Sequence, residues 1–506
     1  MNAMIPLFVI VPLAAAFFMA ILGRFIKNFS KILLNLELLF LSYLALHFIL
    51  NTQGILAYRV GGFENAGDIP IAIYLVLDGL SRLILLVISL IGLLAAFYST
   101  SYTRQFTQER KYYILFSLMI AGMNGLVISG DIFNIFVFLE IAAIASYALV
   151  AFGIEKQQLE ASFKYQVLGG MASLIILLGI GFLYWQTGTL NIADFSRLPV
   201  SGPFVKLLAI FFLVGFGLKA AIFPFHSWLP DAHSSAPSPI SAMLSGVLIK
   251  AIGIYAIFRI FFSMFALSYE IAMVITVLGT LSMIVGGLMA IGQWDIKRML
   301  AFSSISQMGY VIVGIGIGMI LLATGGSKVI AGFSIFGGLF HLVNHSVFKG
   351  LLFLNAGAVE YATGTRDMRQ LGGLAEKMPL TASTSLTASL AISGVPPFNG
   401  FFSKLIIIVA AVSAHFYWLA FIAVVVSIIT ISYFMKMQKY VFFNTPQTDY
   451  KNFRAIPLPM NLSMIILALL CLLLSLLVLP QIRDIFITPA VDALINSLQY
   501  TAVVIG

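Results

Sequence analysis

The chain has 506 residues, of which 61% are hydrophobic and only 9% charged, with a formal net charge of +9 and a mean hydropathy of +1.05. That composition excludes a soluble globular domain. Apolar windows of about twenty residues recur along the whole length without strand alternation, which excludes a membrane barrel and predicts an all-α, polytopic membrane protein in contact with the lipid bilayer. A single cysteine, Cys471, cannot ligate an iron–sulfur cluster or zinc site or form an internal disulfide, so no cysteine-bound cofactor is expected. The basic balance calls for no nucleic acid, because polytopic proteins gather Lys and Arg in cytoplasmic loops.

Hydropathy predicts fourteen spans in one transmembrane domain covering 1–506: 4–23, 32–50, 74–99, 112–129, 132–153, 163–186, 204–225, 237–262, 271–292, 299–322, 329–356, 380–410, 414–435 and 460–481. The first run, Met4–Leu22, lacks a basic leader and is expected to be a retained helix. Seventeen of the 28 Lys and Arg fall in loops after odd-numbered spans, six lie on the opposite side, and five lie inside spans. This asymmetry places the odd-numbered loops in the cytoplasm and both termini on the outer side of a prokaryotic cell membrane. The longest polar connections, Glu360–Pro379 and Gln438–Pro457, are on the basic side, where partner subunits could be met.

Two spans are broken. In IFPFHSW, Pro224 follows Lys219 by five residues and leaves the Ala220 carbonyl without its helical donor. In SGVPPFNGFFSK, Pro396 and Pro397 free the carbonyls of Ile392 and Ser393 just before Lys404. Prolines kink many membrane helices, but paired breaks beside lysines also mark inverted repeats around a midplane ion path.

The ionisable groups inside the spans are the strongest functional signal, since each costs about 2.5–3.5 kcal/mol at the bilayer centre. Glu140 sits in an apolar span and remains ionised only beside a cation; Lys219 is the expected partner. Such a pair is a switch that a mobile proton makes or breaks, or else a static structural pair. Lys250 follows the small, polar stretch SAMLSG, and burial suits it to accept and release a proton. His341, His345 and Lys349 recur at four-residue steps, so they share one helical face suited to proton hopping. Two histidines at that spacing also suit a metal, but no third ligand is near and Lys349 would repel a cation, so no metal is expected. Lys404 is the last central site. Lys164, His226, Asp231 and His233 are candidates for proton entry, with a solvated loop as the alternative. Asp78 and Arg82, four residues apart, are expected to form a structural ion pair. An axis of ammonium and imidazole groups favours protons over Na⁺, which wants oxygen ligands.

The stretch GLKAAIFPFHSWLPDAHSSAPSPISAMLSG, from Gly217 to Gly246, resembles the proton-translocating antiporter-like family. That family is shared by Mrp Na⁺/H⁺ antiporters, membrane-bound hydrogenases and the membrane arm of respiratory complex I. The resemblance covers nearly the whole chain, and the HLxNHxxFK pattern from His341 to Lys349 belongs to it. It implies fourteen helices with inverted five-helix repeats over 111–262 and 271–437. It also implies a lateral proton pathway through Glu140, Lys219, Lys250, His341, His345, Lys349 and Lys404. No long lateral helix follows Pro480 here, so the chain looks like the D-type member of an Mrp antiporter or a hydrogenase component, with the complex I type as the alternative. The expected partners are other membrane subunits of a hetero-oligomeric complex. Redox chemistry is not expected in this chain, although it can serve an ion-translocating oxidoreductase as one component.

Overall fold

The computed structural model describes residues 1–63, 70–198, 202–265, 267–446 and 453–505. Lys451 and the rest of 447–452, in the second long polar connection, lie outside the described residues. Because a bilayer offers no partner for backbone amides, an apolar run must satisfy its own N–H and C=O groups, and the chain does so as helices. The first are α1 (Leu7–Leu22) and α2 (Phe29–Asn51). A short antiparallel ribbon follows, β1 (Leu56–Arg59) paired with β2 (Tyr74–Leu77). Hydropathy merges Tyr74–Leu77 into the third span; Asp78 separates them by capping α3 (Gly79–Tyr102) through the backbone and hydroxyl of Ser81.

Next come α4 (Glu109–Ile128), α5 (Ile132–Val150), α6 (Lys156–Thr187), the short α7 (Ile192–Arg197) and α8 (Pro203–Lys219). The expected eighth span is not one regular helix. It runs as α9 (Trp228–Ser235), α10 (Ser238–Met243), π-helical turns over Leu244–Leu248 and Lys250–Tyr255, and α11 (Ala256–Ser263). Then follow α12 (Tyr269–Ile291), α13 (Ile296–Ala323), α14 (Lys328–Thr363) and the one-turn α15 (Leu374–Lys377). The second broken span is α16 (Pro379–Ser393) and α17 (Asn399–Ser413), and α18 (Tyr417–Gln438) and α19 (Leu458–Leu473) complete the long helices. Short helices α20 (Pro480–Phe486), α21 (Thr488–Ile495) and α22 (Ser497–Ile505) fold back against the body.

Twelve helical stretches among the described residues are long and apolar enough to cross a membrane. The two expected spans not among them are the proline-broken ones, in which α8, α16 and α17 are each shorter than a full crossing. At the centre stands α14, in which every residue from Ser334 to Val359 is buried. It packs on α3, α10, α13, α16, α17 and α19. Close packing of α12 on α13 rests on absent side chains: a Cβ on Gly286 would fall 2.5 Å from the Ser306 nitrogen, and one on Gly309 2.5 Å from the Gly279 oxygen.

The expected Asp78–Arg82 pair is not formed. Arg259 takes the Asp78 carboxylate instead, with two hydrogen bonds of 2.7 and 2.8 Å, and stacks on Tyr255 and Tyr500. Arg82 turns to the backbone carbonyls of Asp78, Phe48, Thr52 and Gly54. A bidentate guanidinium–carboxylate pair wins because both groups are buried and each would otherwise stand uncompensated. Asp78→Ala should therefore destabilise the protein by about 3–5 kcal/mol, read as a lowered thermal midpoint in detergent, whereas Arg82→Lys should change it far less.

Candidate functional site

Helix α8 stops at Lys219 because Pro224 cannot extend it. The orphaned end is closed locally: Trp228 Nε1 donates to the Leu218 carbonyl at 2.9 Å, and the Ile222 amide to Gly217 at 3.1 Å. The Lys219 ammonium thus stands at a helix C-terminus, where the dipole favours a cation. Its Nζ lies 3.5 Å from Glu140 Oε1 and donates to the Tyr147 hydroxyl at 3.3 Å. Glu140, from α5, also accepts a short hydrogen bond from Ser173 of α6. The expected pair is formed, and it is lopsided: the lysine side chain is 1% exposed and the glutamate 28%.

Lys250 lies in the π-helical segment, fully surrounded by protein. Widened turns of this kind recur at functional sites. Gly253 lets that segment touch the end of α8, since a Cβ there would fall 2.5 Å from Ala220 Cα. The Lys250 ammonium donates to the Ser245 carbonyl at 2.6 Å. The Ser245 hydroxyl meets that of Ser304 at 2.7 Å, and Ser304 donates to the Leu300 carbonyl at 2.9 Å. The same carbonyl accepts from Lys349 Nζ at 2.7 Å. Each lysine therefore ends on a backbone carbonyl, with the Ser245 and Ser304 hydroxyls lying between the two.

On α14, His341, His345 and Lys349 are all fully buried and share the face expected from their spacing. His341 meets Ser403 at 3.0 Å through Nδ1 and Gln307 at 3.2 Å through Nε2. His345 lies edge-on to Phe348, with neither ring nitrogen bonded by protein. Lys404, on α17, sits 4.7 Å from the Tyr310 ring centroid. Lys250 is within Coulombic range of His341, His345 and Lys349, and Lys404 is within range of His341.

The entry candidates separate. His233 on α9 is fully buried between Trp228 and Phe353, within Coulombic range of Lys250, Lys297 and Lys349; it is not a solvated loop residue. His226 stacks on Phe223, and none of its described side-chain contacts reaches Asp231 or His233. Asp231 bridges Lys164 at 3.1 Å and Arg298 at 2.5 Å, and Lys164 also pairs with Glu160 at 2.8 Å. Burial alone would raise the Asp231 carboxyl, but hydrogen bonds from Arg298 and Lys164 outweigh it and hold it below the usual carboxylate range.

Sequence reasoning missed Lys297. Its place beside Arg298 suggested a loop charge, yet it is buried and donates a short hydrogen bond to the Ala236 carbonyl. It lines a cavity of about 610 Å³ together with Glu360, Arg366, Tyr102, Glu155 and Gln158. The signal was present: Lys297, Leu300 and Ser304 follow at steps of three and four, one helical face.

The fold that holds these lysines, histidines and the glutamate between broken helices is shared with known proteins. The chain belongs to the NADH:quinone oxidoreductase/Mrp antiporter transmembrane family, whose model matches residues 129–430. It is 36% identical over 409 residues to the N-type subunit of the NADH-quinone oxidoreductase of Desulforudis audaxviator, covering 79% of this chain and 78% of that one. Identity to the D-type subunit of the Na⁺/H⁺ antiporter of Alkalihalophilus pseudofirmus is 33% over 453 residues, 87% of each chain. The fold superposes on a chain of the Mrp complex from Dietzia sp. with a TM-score of 0.91 and 28% identity, covering 100% of this chain and 99% of that one. It also superposes on a chain of the membrane-bound sulfane sulfur reductase, an archaeal respiratory membrane complex, with a TM-score of 0.88 and 30% identity over the full length of both. These relatives are subunits of multisubunit membrane complexes.

Because the Asp231 carboxyl is held low in the folded state, its stabilisation is complete above the unfolded pKa and is lost as pH falls through the folded one. Asp231→Asn should therefore lower the thermal midpoint at neutral pH, and the gap to wild type should close on acidification below about pH 4. Melting curves of the two proteins across a pH series check this.

Proposed function

We propose that the chain is a proton-translocating subunit of a multisubunit cation/proton antiporter, resembling the D-type member of Mrp complexes, or of a related redox-driven ion pump such as a membrane-bound hydrogenase. A second reading, the antiporter-like subunit of a complex I-type enzyme, is favoured by the 36% identity to an N-type subunit of such an oxidoreductase. The observation that carries the proposal is the 3.5 Å contact between Glu140 and Lys219 at one end of a buried series of lysines and histidines.

A proton arriving on Glu140 removes the counter-charge of Lys219, and the ammonium then releases its own proton towards Lys250. The order continues through Lys349, His345 and His341 to Lys404. Magnitudes permit the contact to act as a gate. Opposite charges about 4 Å apart attract by roughly 4 kcal/mol at an effective dielectric of ~20, while one charge crossing 100 mV takes about 2.3 kcal/mol. Forming or losing the pair therefore outweighs the membrane potential for one proton. Partner subunits would supply the driving reaction or counter-ion gradient.

The basic-side cavity, with Lys297 on its wall and His233 beyond it, is the entry route to Lys250; the Asp231 network with Lys164 and Arg298 forms an outer rim. His226 takes no part in that route. Spans 111–262 and 271–437 are read as inverted repeats, each with one proline-broken helix, which with the twelve long helical stretches makes fourteen. Both termini are placed on the outer side of a prokaryotic cell membrane, in keeping with the distribution of Lys and Arg.

Glu140→Ala and Lys219→Ala should each abolish proton transport by the assembled complex in membrane vesicles, measured with a pH-sensitive dye, while the complex is still recovered intact. Full transport in either assembled variant would remove the gate.

A further inference from the structure

Away from the central series, helices α1, α2 and α4 meet around a carboxyl group that nothing above employs. Glu37 of α2 is 4% exposed, and no Lys, Arg or His pairs with it among the described residues. Its Oε2 lies 2.8 Å from the Ser117 hydroxyl of α4, which lies 2.8 Å from the Pro12 carbonyl of α1. Oε1 has no protein partner.

The hydrogen bonds around this group fit a carboxylic acid. Two short oxygen–oxygen contacts, each formed as a two-centre hydrogen bond, use two hydrogens. A serine hydroxyl carries one, and an amide carbonyl carries none. The Pro12 contact can be filled only by the Ser117 hydrogen, which leaves the contact between Ser117 and Glu37 to a hydrogen on Glu37.

The surroundings agree. Helix α1 contains no ionisable side chain. On α4, Glu109 is paired with Lys31 at 2.8 Å, and Arg110 and Lys111 stand in the same first turn. Ser117 is eight residues further in, about 12 Å along the axis. On α3, Arg82 is committed to backbone carbonyls, and His47 lies ten residues along α2, against Asn51. An unpaired carboxylate in such a place is heavily disfavoured, whereas a carboxylic acid is tolerated.

We infer that Glu37 is a carboxylic acid holding one proton at neutral pH, a proton-binding site separate from the central series and open to covalent capture by membrane-soluble carbodiimides. Leu36, Leu39 and Phe40, its neighbours on α2, face outward, so a hydrocarbon-soluble reagent has a short path to the corner. The acid gives its proton to one carbodiimide nitrogen while its oxygen adds to the central carbon, forming an O-acylisourea. An oxygen-to-nitrogen acyl shift then gives a stable N-acylurea, with no leaving group.

The test uses the intact complex in membrane vesicles at pH 7, with dicyclohexylcarbodiimide as the probe and Glu37→Gln as the control. Peptide mass spectrometry should find one carbodiimide adduct on the Glu37 peptide, absent from the variant. An infrared difference spectrum, wild type minus Glu37→Gln, should show the C=O stretch of a protonated carboxylic acid. A carboxylate stretch in that spectrum overturns the inference, as does an adduct on Glu140 with none on Glu37.

Discussion

The structure depends on keeping ammonium groups inside a layer that rejects them. An isolated ammonium there would find neither water nor counter-ion. Each lysine of the central series meets that demand differently. Lys219 takes a carboxylate and a phenol, Lys250 and Lys349 take backbone carbonyls, and Lys404 takes the face of an aromatic ring. Only the first is an ion pair. Carbonyls and rings stabilise a charge without supplying a counter-charge.

Broken helices support that arrangement. A regular α-helix engages most of its own carbonyls, so a break beside a lysine frees further acceptors. The stop after Lys219, the widened turns around Lys250 and the gap between α16 and α17 each interrupt the ladder close to a buried charge. Long unbroken helices supply the rigid frame: α14 brings two histidines and a lysine, and α13 brings Ser304, Gln307 and the Leu300 carbonyl. Glycines lock α12 against α13 at backbone distance, so the frame has little freedom to shift where the site is held.

Much of this was legible from residue chemistry. Charge inside an apolar run singled out Glu140, Lys219, Lys250 and Lys404, and the four-residue step placed His341, His345 and Lys349 on one face. The partner of Asp78 was not legible, because a local candidate four residues away masked one 181 residues away. Lys297 looked solvated because hydropathy assigns helix edges to water, whereas α13 carries its first turn into the protein. The widened turns left no trace either, since the same small and apolar residues serve an ordinary helix equally well. His226 and His233 looked equivalent in one corner; only packing separates them, one stacked at the rim and one enclosed.

The serine file between Lys250 and Lys349 has a direction. Ser304 spends its hydrogen on the Leu300 carbonyl, so Ser245 must be the donor in the bond between the two hydroxyls. An amide oxygen does not take up a proton at neutral pH, and the file therefore ends blind. The other end is no different, since the Lys250 ammonium meets the Ser245 carbonyl and not its hydroxyl. The two hydroxyls therefore stitch neighbouring turns of two helices together without joining the two ammonium groups into one hydrogen-bonded wire.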